Sequence, residues 1–291
     1  MSDNKTSMLR RGRGETTAQT CALMLTLAVV GATFGAPAAA NASAGTDCGA
    51  RAVAHRGGHD TADENTVRSV HRAAQLGAHV ELDLRVIQAD HSLAFMHDGN
   101  VRRTTNGEGQ LEEMTQAQVK RLRTEPHGGR VMFWRGFLEA MLDHPRLVAL
   151  VEAKQFAEYW SGNVDVFQRI EDTLLRTGLA DRVYLGGMAG FMFSMAREAP
   201  QVKTFWEVAR ARPFTVQEIT DHSANMAFAR PRKLDASVAR QMRGQSIRVF
   251  ARLSQQPEQW KTAVNRGATG VLTDRVSAFN TWCARFVRSV G

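Results

Sequence analysis

The chain has 291 residues, 43% of them hydrophobic and 23% charged, with a formal net charge of +8. That is enough apolar material for one sizeable core and too little length for two full enzymatic domains, and nothing in the composition is collagen-like, coiled-coil or disordered. The basic balance favours anionic partners, but no basic stretch is interleaved with aromatics and no recognition motif occurs, which argues against nucleic acid.

The opening segment differs from the rest. Lys5, Arg10, Arg11 and Arg13 precede an apolar run from Cys21 to Pro37, and small residues follow as far as Gly45. Charged, apolar and small segments in that order predict a secretory signal peptide over 1–44, cleaved before Asn41 or Gly45, with the catalytic region over 45–291. Thr26, Thr33 and Pro37 interrupt a run that is short for a membrane anchor, and no lipobox precedes Cys21 or Cys48. Removing Lys5, Arg10, Arg11, Arg13, Asp3 and Glu15 with this segment leaves a net charge of +6, down from +8. A secreted, basic chain suits phosphate-bearing substrates and an anionic membrane or wall surface; no protein partner is evident.

From Arg51 onward, β-rich runs alternate with segments of helical period. Strands are expected over 52–55, 79–84, 93–97, 147–152, 182–187, 202–207, 224–229, 247–252 and 269–273. Helices are expected over 64–76, 137–142, 164–177, 234–243 and 257–265. Such alternation predicts parallel strands with crossover helices, and the length suits an α/β fold of the (β/α)8 barrel type, with a doubly wound open sheet as the alternative. Nine runs exceed eight by one, and the 85–92 connection is too short for a crossover helix, so that unit is irregular. The stretch 101–135 reads as an excursion over one end of the barrel, with a short helix over 116–122. Thr61 and Glu64 have capping-box spacing, and Gly77 stands where a C-cap glycine belongs.

Polar groups gather at the strand ends: His55 and Arg56 after the first run, Glu81 and Asp83 in the second, His97 and Asp98 at the third, Glu152 and Lys154 at the fourth. The C-terminal ends of barrel strands converge, so these residues are expected around one opening. Glu81 and Asp83 are two apart on a strand and face the same way. With Glu152 they form an all-oxygen ligand set that favours Mg²⁺ or Ca²⁺, with Mn²⁺ possible. The spacing is equally compatible with a salt cluster involving Arg56, Arg85 or Lys154. Two histidines at separate strand ends suit general acid and base work near neutral pH. The remaining histidines, His59, His71, His79, His91, His127, His144 and His222, read as surface or turn residues.

The ordered set AHRGG (54–58), ENT (64–66), ELD (81–83), HD (97–98), RTTNGEG (103–109), VEAK (151–154) and GVLTD (270–274) resembles the glycerophosphodiester phosphodiesterase family over nearly the whole of 45–291. The resemblance implies a distorted (β/α)8 barrel and hydrolysis of a glycerophosphodiester to glycerol 3-phosphate and an alcohol. It also implies His55 and His97 as the acid and base pair, Glu81, Asp83 and Glu152 as metal ligands, and Arg56 and Lys154 as phosphate contacts. The chain departs from the family pattern at Asp63, at GGMAGF (186–191) and at RVFARLS (248–254), positions expected around the alcohol and glycerol pocket. Wall teichoic-type polymers are included in the expected substrate range. The alternative is a phospholipase D-like enzyme for lysophospholipid or sphingomyelin-type lipids, its apolar pocket lined by Met188, Phe191, Met192, Phe193, Phe205 and Trp206. Cys21 leaves with the signal peptide, and the two remaining cysteines, Cys48 and Cys283, flank units that a closed barrel places side by side. A disulfide between them is therefore expected, worth at most about 5 kcal/mol in the chain-entropy picture.

Overall fold

A computed structural model describes residues 48–58, 62–154, 164–187, 189–208 and 214–290, and the predicted signal peptide lies outside these. Nine strands occur among the described residues: β1 (Arg51–Ala54), β2 (His79–Val86), β3 (Leu93–Phe95), β4 (Ala149–Ala153), β5 (Val183–Gly187), β6 (Lys203–Val208), β7 (Met226–Ala229), β8 (Arg248–Ala251) and β9 (Gly270–Thr273). Eight run parallel in the order β1-β9-β8-β7-β6-β5-β4-β2, and pairing of β1 with β2 closes the ring. The supernumerary strand is β3, which pairs antiparallel with β2, Leu84 opposite Phe95. A short turn can join antiparallel neighbours but not parallel ones, so the second unit of the (β/α)8 barrel is a hairpin, and the open-sheet alternative falls.

Among the described residues the helices are α1 (Val67–Gln75), α2 (Gln116–Val119), α3 (Trp134–Leu142), α4 (Val164–Thr177), α5 (Ala189–Glu198), α6 (Val216–Asp221), α7 (Ala236–Gly244), α8 (Pro257–Asn265) and α9 (Val276–Val290). The bounds of α4 and α8 are those the sequence predicts. The sequence reading omits α5, a mostly apolar run (AGFMFSMARE) without a polar stripe, and the short α6. The first helix begins later than expected. Its N-cap is Thr66, whose hydroxyl accepts from the Ser69 N–H while the Ser69 hydroxyl accepts from the Thr66 N–H. The capping box of α1 is Thr66 and Ser69, and Thr61, expected to pair with Glu64, lies outside the described residues. Glu64 stands before this cap and its carboxylate enters ion pairs. Gly77 does adopt the left-handed conformation, φ 69°, beyond the end of α1.

Strand alternation makes two cores. Outward residues such as Ala52, Val80, Leu82, Val151, Ala227 and Val249 pack under the helices. Inward residues Val53, Leu150, Tyr184, Phe205, Met226, Phe228, Phe250 and Leu272 fill the barrel. Two glycines make room for the rings: a Cβ on Gly186 would lie 2.4 Å from the Phe205 ring, and one on Gly270 would lie 2.7 Å from that of Phe250. A small satellite core of Ile87, Met96, Val101, Leu111, Val119 and Val131 anchors the excursion beside the β2–β3 hairpin. Buried Asp63 ties the excursion down, accepting from the Thr124 hydroxyl at 2.7 Å and lying 2.6 Å from His127 Nδ1. The expected disulfide is present, joining Cys48 to Cys283 in α9 with Cα atoms 5.2 Å apart. No described helix is long and apolar enough to cross a membrane.

Candidate active site

Beyond the apolar barrel filling, the inward faces turn polar. Two residues past Val53, Leu150, Phe205, Phe250 and Leu272 stand His55, Glu152, Glu207, Arg252 and Asp274. Strand periodicity keeps each on the inward face, at the end of its strand where water enters. On β2 the change comes one step deeper. Glu81 lies level with Leu150 and Asp83 level with Glu152, and the two are only 3% and 1% exposed.

Oxygens of Glu81, Asp83 and Glu152 all lie within 4.8 Å of one another. Burial, with Asp83 and Glu152 alongside, holds the Glu81 carboxyl well above the usual carboxylate range. The Arg56 N–H, donating to Glu81 Oε2 at 2.9 Å, and Lys154 act in the opposite sense. Lys154 Nζ sits 3.1 Å from Glu152 Oε1 and 3.3 Å from Asp83 Oδ1. Burial alone would depress its ammonium, but Asp83, Glu152 and Glu81 outweigh that and raise it. Asp83 Oδ1 is buried and accepts no hydrogen bond. A hard divalent cation fits that oxygen, which has the Lys154 ammonium beside it but no hydrogen bond, together with the all-carboxylate donor set, and would offset the like charges that add to burial in raising the Glu81 pKa.

The loops around the cluster are built to hold it. Arg56 adopts a left-handed backbone, φ 54°, which aims its N–H at Glu81 and costs about 1–2 kcal/mol. Gly57 follows at φ 87°, where a Cβ would strike Ser69 Oγ at 2.1 Å. Asn65, also left-handed, clasps Asp83: its Nδ2 donates to Oδ2 and its Oδ1 accepts from the Asp83 N–H, both at 2.9 Å. Arg56 itself pairs with Glu64 at 3.3 Å and lies 3.6 Å from Asp83. Both cations expected to contact phosphate are thus at the cluster, beside its carboxylates. Arg85 points elsewhere, to Glu112 and the carbonyls of Met96 and His97.

His55 and His97 each meet a carboxylate through Nδ1: Asp274 Oδ1 at 2.6 Å and Asp98 Oδ1 at 2.7 Å. Burial would raise Asp98, but hydrogen bonds from His97 and Arg103 outweigh it and lower its pKa. Arg103 bridges Asp98 to Glu64, at 2.7 Å from the latter, and Gln255 holds the second oxygen of Asp274. The sequence pattern gives Glu64 only a capping-box spacing and assigns no role to Asn65, Arg103 or Asp274. Their signal was present, since all lie within the family-like motifs, but their partners are distant in the chain.

Other expectations change. The strand expected over 93–97 ends at Phe95, so His97 follows it. His79, read as surface, is 8% exposed inside the barrel and stacks on Phe250; burial, with Arg51 and Arg248 nearby, pushes its pKa down to about 3. His71 and His144 contact each other at 2.8 Å, and His222 stacks on Trp206. Three of the apolar residues expected to line a lipid pocket are packed as core. Phe191 and Met192 are core beneath the helices, with Phe191 against Phe167, and Phe205 fills the barrel against Phe228. His59, Met188 and the Phe193 side chain lie outside what is described.

The model of the glycerophosphoryl diester phosphodiesterase family matches residues 55–278, which takes in all seven predicted site residues. The chain belongs to this family. It is similar to glycerophosphodiester phosphodiesterase 1 of Bos taurus, 47% identical over 72 residues, which is 24% of this chain and 22% of that one. It is also similar to a glycerophosphodiester phosphodiesterase of Caldanaerobacter subterraneus, 42% identical over 71 residues, 24% of this chain and 29% of that one. The chain thus aligns with under a third of the length of these relatives. In fold it resembles an Oleispira antarctica phosphodiesterase solved with the product sn-glycerol-3-phosphate, with a TM-score of 0.65 and 18% identity over 80% of this chain and 96% of that one.

Proposed function

We propose that this protein hydrolyses glycerophosphodiesters to glycerol 3-phosphate and an alcohol, with a divalent cation at Glu81, Asp83 and Glu152. The observation that carries the reading is the convergence of that carboxylate cluster with two carboxylate-oriented histidines at one barrel mouth. With Nδ1 of each ring held by Asp274 or Asp98, Nε2 is the proton-exchanging atom. One histidine takes the proton of the attacking hydroxyl while the other protonates the departing alkoxide. Attack by the neighbouring glycerol hydroxyl expels the alcohol and forms a cyclic phosphate, which water then opens to the monoester; no Ser or Cys nucleophile is needed. Arg56 and Lys154 offset charge on the phosphoryl oxygens. The cation, when bound, supplies Lewis-acid stabilisation of the same oxygens.

A panel of glycerophosphodiesters assayed with Mg²⁺, Ca²⁺, Mn²⁺ or excess chelator tests this. Hydrolysis is expected with at least one metal and should vanish in chelator, and Glu81→Gln or Asp83→Asn should weaken metal affinity and activity together, with partial recovery at high metal. Full activity in chelator after dialysis would sink the metal assignment, and no hydrolysis under any condition would sink the activity. We also infer that the protein is exported, from the signal-like segment over 1–44 and from a disulfide suited to an oxidising compartment. Amino-terminal sequencing of secreted protein should start at Asn41 or Gly45; retention of all material inside the cell would refute export.

A further inference from the structure

Strands β7 and β8 are each followed by an arginine. Ala229 pairs with Ala251, and the Arg252 N–H donates to the Ala229 carbonyl at 2.7 Å, so Arg230 and Arg252 follow side by side at the mouth. Phe228 and Phe250, two residues earlier, face the barrel interior, which sets both arginines on the inward face. Pro231 then opens a single 3-10 turn, Pro231–Lys233, and Arg232 joins Arg230 and Arg252 along one cleft of about 600 Å³. Leu253, Glu258 and Thr262 contribute to its other walls.

The cleft is connected to the carboxylate cluster through Arg252. Arg252 is ion-paired with Glu207, and Glu207 feels the charges of Glu152, Lys154 and Arg230 while burial raises its pKa. One arginine is therefore matched by a carboxylate. Arg230 and Arg232 have no ion-pair partner among the described residues, and the remaining acidic group lining the cleft is Glu258. Two guanidinium groups facing a cleft beside a phosphodiester site are chemistry for a further anion. The glycerol arm of a glycerophosphodiester carries only hydroxyls, so that anion must belong to the alcohol.

We propose that the β7–β8 cleft is a subsite for a second negative charge, and that the favoured substrates are glycerophosphodiesters whose alcohol arm carries a phosphate. The proposal rests on the activity proposed above and adds the substrate class to it. Such an arm has two sources: the next unit of a glycerol phosphate polymer, or a small headgroup ending in a monophosphate.

The test compares kcat/KM for three diesters with the metal that supports activity: glycerophosphoethanol, a glycerol phosphate dimer with a second phosphodiester, and a glycerophosphodiester of ethylene glycol monophosphate. One or both anionic substrates should exceed the neutral one by about tenfold or more at low salt, and less as salt rises. Preference for the dimer assigns the subsite to a polymer, and preference for the monophosphate assigns it to a headgroup. In Arg230→Gln/Arg232→Gln the ratio of anionic to neutral kcat/KM should fall to about one, while Arg230→Lys/Arg232→Lys keeps most of it. Equal rates on all three diesters, or a preference that survives the glutamine pair, would overturn the subsite and leave the activity standing. No turnover of any of the three would overturn both.

Discussion

On β8 the inward positions run from Phe250 to Arg252, and on β4 from Leu150 to Glu152: apolar in the depth of the barrel and charged at the mouth. On β2 they run His79, Glu81, Asp83, all buried. A charge at the rim costs little, because water still reaches it; Arg252 is 36% exposed and Glu152 28%. A carboxylate at the level of Leu150 has no such outlet. Neighbouring strands therefore solve different problems. The apolar filling of β6 to β9 stabilises the barrel, and β2 accepts a buried like-charge pair that Lys154 and Arg56 offset and a cation or a proton would balance further.

The largest effect should come from the rim histidines. His55→Ala and His97→Ala are each expected to lower turnover by roughly 10²- to 10⁴-fold while leaving the melting temperature near that of wild type, since both rings are partly exposed. A variant with near-normal rate would remove that histidine from proton transfer. Phe250→Ala should reverse the pattern. It empties a fully buried ring position and should cost about 3–5 kcal/mol of stability in urea unfolding, with activity retained at temperatures where the variant stays folded. A loss below about 1 kcal/mol would mean that the barrel filling is not what holds the strands.

Asp63 sharpens the contrast at a smaller scale, being 7% exposed against 3% for Glu81 but met by donors. Burial would raise its pKa, yet hydrogen bonds from Thr124 and His127 outweigh this and lower it. A carboxylate whose folded pKa lies below its unfolded value of 3.8 contributes stability that is fully present above that value and lost as pH falls through the folded pKa. Asp63→Asn should therefore cost about 1 kcal/mol at neutral pH, with the difference from wild type shrinking once pH drops below 3.8. A constant difference down to pH 2 would show that ionisation of Asp63 is not involved.

Much of this was legible in one dimension because the relevant patterns are local. Period-two runs separated by helical periods imply parallel strands, the short 85–92 connection implies an irregular second unit, and Glu81 and Asp83 must share a face whatever surrounds them. Cysteine parity pointed to the Cys48–Cys283 bridge, which the closed barrel makes geometrically possible.

Tertiary structure alone decided which charges meet. Asp274 reaches His55 because β9 closes on β1, and Asn65 reaches Asp83 because its N–H is held by the Arg56 carbonyl beside β2. Glu64 precedes the α1 cap, which Thr66 and Ser69 form, and the fold brings its carboxylate to Arg56 and Arg103. Phe191, Met192 and Phe205 could have lined a pocket by composition, and the inward or helix-facing direction of each Cβ made them core instead. Hydropathy and spacing act along the chain, whereas partner choice depends on register and closure, which join residues as far apart as His55 and Asp274.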